Sequence, residues 1–582
     1  MSKLPRFHDV AQKISTLVTR PRSGYATPGD GARLLLRDRN RSISGTNRVP
    51  HPNRPRFLVP LTAWAFVGCT VLAASVTAWS PVAYAEAPPT EAKRWIRLEE
   101  VKQHDRDSER KWVIKGTRVF DITDWIAAHP GGPVILHAAG RSIDPYWNIF
   151  TIHQKQDVYD VLEEYFIGEI DPRDLVDGKV AEDHVEDPFV NDPVRNPQLL
   201  QHTQKPCNAE TPKPSLESYL TPNDTFYVRN HLWVPELNEK THTLTVELLD
   251  GTEKQYTLHD LKTKFQPFTI TATLQCSGNR RKHMSAGARP AIGLQWDVGA
   301  ISNAQWTGVR LRDILRDAGF PVDDCDAEEA RHVQFVAAEA YGASVPIEKA
   351  LDPRGDVMLA YEMNGKPLPR DHGYPLRVLV PGNTAARSVK WIEKIVLAEE
   401  ESHSQWQRRD YKCFGPNQTA KDVDWSTAPA IQETPVQSAI TSVMDISWSS
   451  RHGRPSLQKH GLDEDAVQLK GYAYSGGGKK IIRVDISADG GKIWQQAHLL
   501  PDESKGHKAW SWKQWESVMP KRLVGQQFVV KAVDESYNSQ IESYEAQFNF
   551  RGNLTTAWHK IDYPRAGDGP RNDVEAERGP RA

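Results

Sequence analysis

The sequence predicts a multidomain chain: a small α+β unit, a larger α+β unit and an all-β two-sheet sandwich. Three observations lead there. At 582 residues the chain is too long for one hydrophobic core. An acidic, proline-bearing stretch over 172–197 shows no apolar period and reads as a linker. From about residue 433 the pattern turns to short alternating strands separated by Gly-rich turns.

The formal net charge of −2 gives no reason to expect nucleic acid as a partner. The five cysteines (Cys69, Cys207, Cys276, Cys325 and Cys413) are widely spaced and form no CxxC pair. Neither a disulfide framework nor a zinc site is suggested. The first 56 residues carry many arginines, among them Arg20, Arg22, Arg33, Arg37, Arg39 and Arg41, and few acids. Phe57 to Ala85 is free of charge, and Ala83-Tyr84-Ala85 supplies a small-x-small cleavage pattern. Residues 1–85 therefore read as a two-part mitochondrial presequence with an apolar sorting segment. Its removal would leave a protein in the intermembrane space with no stable membrane insertion; a retained anchor is the competing reading.

In the small unit, 94–171, Lys111–Ile114 and Thr117–Asp121 read as strands around the Lys115-Gly116 turn. His129-Pro130-Gly131-Gly132 follows, and His153 lies 24 residues after His129. Two imidazoles from opposite sides would fill both axial positions of a haem iron, which suits electron transfer. Ile135, Leu136, Tyr146, Trp147, Phe150 and Val161 could wall the ring. The HPGG motif and the second-histidine spacing resemble the cytochrome b5 family, which implies a b-type haem ligated by His129 and His153. The stretch 172–197 is then expected to be a mobile tether between redox centres.

In the larger unit, 198–432, the run Thr271 to Arg281 alternates apolar and β-branched residues up to Cys276. A small-residue turn and the pair Arg280-Arg281 come next. A thiolate is a soft metal ligand, and adjacent guanidinium groups hold anions. The run resembles the cysteine motif of the sulfite oxidase family. That resemblance implies Cys276 as ligand to the molybdenum of a molybdopterin cofactor; ligand spacing alone does not name the metal.

The resemblance extends to further segments. Tyr227-Val228-Arg229-Asn230-His231 resembles a segment contacting pterin and substrate, with Arg229 at the anion pocket. Gly293-Leu294-Gln295-Trp296 implies Trp296 as a pocket wall. Glu339 stands where an aspartate is usual. His372 and Arg377 are implied as contacts to the pterin and its phosphate, and Ser388, Val389 and Lys390 as further cofactor contacts. Tyr411 is implied beside the metal oxygens. Ile292 replaces a frequent lysine, and Ala385 a frequent glycine.

Over 433–563, Ile482, Val484 and Ile486 alternate with Arg483 and Asp485, and Asp489-Gly490-Gly491 signals a hairpin whose return starts at Ile493-Trp494. Phe528, Val530 and Ala532 alternate again. The region resembles the family's immunoglobulin-like dimerisation domain, which implies a homodimer and sends Arg483 towards the substrate anion. Residues 564–582 read as a disordered tail.

Together the expectation is oxidation of sulfite to sulfate, with Arg229, Arg281 and Arg483 holding the anion and electrons passing through the haem to cytochrome c. Two other readings compete. A nitrate reductase-like molybdoenzyme usually places its haem domain after the molybdenum domain, against the order here. A non-enzymatic, membrane-anchored haem-binding protein would not need the intact Cys276–Arg281 motif.

Overall fold

The computed structural model describes residues 94–563 except 127–128, 130–131, 151–152, 154–155, 181–186, 324–328, 340 and 503–505. The expected presequence and tail lie outside the described residues. Among the described residues no helix is long and apolar enough to cross a membrane.

The small domain is built on a four-stranded sheet in the order Trp95–Ile96, Phe166–Ile170, Arg118–Asp121, Trp112–Lys115. The hairpin strands Trp112–Lys115 and Arg118–Asp121 turn at Gly116, whose φ of 63° suits a residue without Cβ. Strand alternation buries both faces. Trp112, Ile114 and Val119 pack with Ile96 and Ile170 on one side. Val113 and Phe120 pack with Trp147 and Leu162 on the other.

The central domain carries two five-stranded sheets. One runs Phe268–Gln275, Ile301–Arg310, Met358–Met363, Lys366–Pro367, with Arg377–Leu379 also paired to Met358–Met363. The other runs Gly342–Pro346, His332–Ala337, Ile392–Ala398, Thr243–Glu247, Glu253–Thr257. A small sheet of Leu200–Thr203, Asn208–Glu210 and Val228–Arg229 stands beside them. The expected sandwich follows as two four-stranded sheets. Its core takes Val484, Ile486, Phe528, Val530 and Ala532.

Three local expectations are corrected. A bulge between Ile481 and Arg483 shifts the strand Ile481–Ser487, so Ile481 enters the core and Ile482 is exposed. The return strand is Gln495–Gln496, and Ile493 is 75% exposed ahead of it. The stretch 172–197 is not a free tether throughout. Asp187 pairs with Lys205, Asp192 accepts from the Val234 N–H at 2.9 Å, and Arg195 bonds both Asp192 and Asp371. Phe189 is only 4% exposed, in a cluster with Phe150 and Leu232. Its acids look solvated in sequence but act as ion-pair and hydrogen-bond acceptors in the fold.

Candidate active site

Strand Phe268–Gln275 ends on a buried face, with Ala272, Leu274 and Cys276 all inward. Cys276 N–H donates to Ala300 O at 3.0 Å, which holds the residue after the strand's last pair against the neighbouring strand's entry loop. The turn beyond is held by side chains. Ser277 Oγ donates to Asn553 Oδ1 at 2.9 Å, and Asn279 bridges Tyr472 OH and the Ala300 N–H. Arg280, at φ 67°, is fully buried and donates to Ser438 O, Ala557 O and Tyr544 OH. Both domains therefore fix the loop that presents the thiol.

The thiol opens onto a cavity of about 70 Å³. Around it stand Tyr227, Arg229, Asn230, His231, Glu339, His372, Arg377, Ser388, Val389, Lys390 and Tyr411, all expected from sequence. The cavity also takes Phe226, Tyr341 and Asp371, which sequence reasoning did not single out. Asp371 stood one residue before His372, and its acidity beside a cationic segment was the available signal.

Charge in this cavity is buried and only partly balanced. Lys390 Nζ donates to Arg229 O at 3.1 Å, to Asp371 O at 2.9 Å and to Asn230 Oδ1. Burial still pushes it down to about 7, with Asp371 and Glu339 opposing. Arg377 donates to His372 O and Ser388 O, both at 2.9 Å, and burial lowers it to about 10. Burial raises Glu339 to about 8, and its Oε2 has no hydrogen-bond partner. Burial lowers His372 to about 3. Burial alone would raise Asp371 too, but the Arg195 guanidinium more than offsets it and holds the carboxyl below its usual range. Such uncompensated cations favour an anionic occupant. A lone thiol for a soft metal and basic groups for a phosphate-bearing pterin fit the molybdopterin cofactor.

Tyr411 OH lies 3.1 Å from His231 Nε2. Burial, then the charges of Arg229, Lys390 and Arg551, keep His231 neutral by lowering its pKa well below the ordinary value. The ring stacks on Tyr341, with centroids 4.9 Å apart.

Four expected residues fall elsewhere. Arg281 donates to Arg551 O at 2.9 Å, Leu294 O at 2.8 Å and Asn553 Oδ1 at 3.1 Å, so its N–H groups serve the domain junction and it does not line the cavity. A Cβ on Gly278 would lie 2.5 Å from its Nη2, which explains the glycine there. Trp296 is 1% exposed, in the core edge-on to His202. Val228 points away from its cavity-facing neighbours Tyr227 and Arg229, as strand alternation requires, and packs with Cys207 and Ala209. Arg483 is half exposed and paired with Asp485 at 3.0 Å, so it does not reach this chain's cavity.

Arg551 was missed. It comes from the C-terminal domain and donates to Asp410 Oδ1 at 2.9 Å, beside Tyr411. Its Nε is buried without a hydrogen-bond partner. Its charge depresses both Arg281 and His231. Nothing local in Phe550-Arg551-Gly552 marks this placement.

In the small domain the His129 and His153 rings face each other with centroids 6.2 Å apart. Two imidazoles binding one metal from opposite sides with bonds of about 2 Å have centroids about 6 Å apart. Burial and the neighbouring His129 push His153 down to about 3, and its Nδ1 is buried without a hydrogen-bond partner. A neutral His153 imidazole facing the His129 ring fits an iron with two axial histidines. Ile135, Tyr146 and Trp147 belong to the apolar cluster beside them, whereas Phe150 packs in a separate cluster; Leu136 and Val161 are half-buried.

Comparison with known proteins agrees with this geometry. Residues 97–171 match the cytochrome b5-like heme/steroid binding domain, 231–406 the oxidoreductase molybdopterin binding domain, and 428–565 the Mo-co oxidoreductase dimerisation domain. Sulfite oxidase of Gallus gallus is 45% identical over 471 residues, covering 79% of this chain and 98% of that protein. Mitochondrial sulfite oxidase of Homo sapiens is 44% identical over 475 residues, covering 80% of this chain and 83% of that protein. Nitrate reductase [NAD(P)H] of Hordeum vulgare is 37% identical over 387 residues, covering 63% of this chain but 42% of that protein. With three domains matched in order and relatives aligned over most of their length, this chain belongs to the sulfite oxidase family.

Proposed function

We propose that this chain oxidises sulfite to sulfate in the Cys276 cavity and returns the two electrons singly, through the His129/His153 haem, to cytochrome c in the mitochondrial intermembrane space. The observation that carries the reading is one cavity joining a lone buried thiol to an excess of buried cations, beside a facing histidine pair in the same chain. When bound, the molybdenum cofactor supplies the two-electron oxygen-atom chemistry and the haem the one-electron carrier. Every other step falls to the chain's own groups.

Cys276 gives the metal its protein sulfur. Arg377, Lys390 and His372 hold the pterin's polar edge and phosphate, and the Glu339 carboxyl, kept neutral by burial, donates a hydrogen bond there. Arg229, on the cavity wall, holds the sulfite oxyanion, and Arg551, paired with Asp410 beside Tyr411, adds positive charge behind it. Tyr411, paired with His231, moves one of the two protons released as water is consumed; the neutral imidazole can accept it. Arg281 positions the Cys276 loop through its three carbonyl contacts. Two copies associate through the C-terminal sandwich.

The test is optical. Sulfite added to the oxidised, cofactor-loaded protein should reduce the haem, and cytochrome c should then reoxidise it. Haem that stays oxidised under sulfite removes the substrate assignment. Haem reduced by sulfite but not reoxidised by cytochrome c removes only the acceptor. Fractionation of intact mitochondria checks the compartment.

A further inference from the structure

Between the two redox sites lies a set of packing contacts, aromatic on the haem side and continued through Leu232 on the cavity side. The His153 ring meets Phe150, centroids 5.7 Å apart. Phe150 meets Phe189 edge-to-face at 5.1 Å. Phe189 packs with buried Leu232 and lies 6.3 Å from the Trp233 ring. Leu232 is bonded to His231, which lines the cavity and pairs with Tyr411. Val134 and Ile149 complete the haem domain's side of this cluster.

The segment carrying Phe189 is fastened to the cavity domain. Arg370 donates to Asn191 O at 2.8 Å, Asp192 accepts from the Val234 N–H, and Arg195 clasps Asp371, which itself lines the cavity. Phe189 is therefore a fixed knob of the central domain into which the haem domain fits Phe150. At the exposed margin Lys421 pairs with Glu164 of the haem domain at 2.9 Å.

We propose that this contact is the electron-transfer docking face, with Phe189 the positioning residue that joins the haem side to the cavity side. The proposal rests on the functional reading above. Each passage oxidises the cavity's centre by one electron and reduces the haem iron by one, with no bond made or broken along the route. Dry, close contact couples two sites better than a water-filled gap. The small size of the cluster also lets the haem domain leave to meet its external acceptor.

The experiment uses the full, cofactor-loaded chain and two readouts: flash-initiated transfer between cavity and haem, and amide exchange without any substrate. Phe189→Ala should slow transfer about tenfold by shifting the domains towards separation. It should speed exchange at Phe150 and Val234 about tenfold while leaving Leu274 unchanged. Phe189→Leu should keep exchange at the wild-type level. Lys421→Glu, a surface change that leaves folding intact, should slow transfer about threefold at low salt and not at high salt. Wild-type transfer and exchange in both Phe189→Ala and Lys421→Glu would overturn the docking proposal. Failure of sulfite to reduce the haem in the wild type would instead overturn the functional reading, because flash transfer and exchange need no sulfite.

Discussion

Removing Arg195 tests how the stretch before the central domain supports the cavity. Its guanidinium holds Asp371 through Nε at 3.0 Å and Nη2 at 2.9 Å, with side chains 15% and 9% exposed. Asn230 Nδ2 adds a third contact at 3.0 Å. Arg195→Ala leaves Asp371 buried with only that neutral donor, and Asp192 with only the Val234 N–H, a loss of about 3–5 kcal/mol for a broken buried pair. The sign with pH follows from the direction of the shift. Asp371 is held below its usual range, so the pair stabilises above the unfolded carboxyl pKa and is lost as pH falls through the folded one. In the variant burial dominates and the carboxyl rises, so the deficit is largest at neutral pH and shrinks towards pH 4–5. Calorimetry at pH 7.5 should show the central transition lowered by about 10 °C, with a smaller drop at pH 5. Adding Asp371→Asn should recover part of the loss, because it removes one of the two stranded charges and leaves Asp192. A shift within about 2 °C at pH 7.5 would refute the view that this pair holds the cavity wall.

Three further outcomes follow from the cavity's electrostatics. Glu339 is raised to about 8, so in cofactor-free protein it costs stability progressively as pH rises from about 4.5 through 8; Glu339→Gln should flatten the melting temperature over that range. Arg551→Gln removes positive charge beside Tyr411, worth about 1.5–3 kcal/mol to a bound anion, so KM for sulfite should rise about 10- to 100-fold with molybdenum content unchanged. Unchanged KM would return Arg551 to a purely structural role with Asp410. Tyr411→Phe removes the hydroxyl facing His231 and should lower kcat about 100-fold, while KM moves less; an unaltered kcat would remove the tyrosine from proton transfer.

Contiguous motifs were legible because chemistry and spacing sit together in the chain. His129 and His153 face each other, and Cys276 and Arg377 come to one cavity. What failed depended on which surface meets which. Alternation correctly put Arg483 opposite the strand's apolar side, but not which partner that side faces; it is Asp485. Arg281 looked like an anion clamp beside Cys276, yet distant carbonyls at Leu294 and Arg551 claim it. Arg551 could not be found because domain association alone carries it to Asp410. Phe189 sat in an acidic stretch whose fastening to the central domain, through Val234 and Asp371, no local pattern shows.

The central claim is that Cys276 holds the metal that oxidises sulfite. Metal analysis of the wild type and Cys276→Ser, with sulfite-dependent cytochrome c reduction measured on both, tests it most directly. Both proteins should be made in a host able to build the cofactor. Near-stoichiometric molybdenum in the wild type, and activity that Cys276→Ser abolishes while haem content stays intact, is the predicted result. Wild-type protein that holds haem but no molybdenum, or a Cys276→Ser enzyme that turns over sulfite at the wild-type rate, would contradict it.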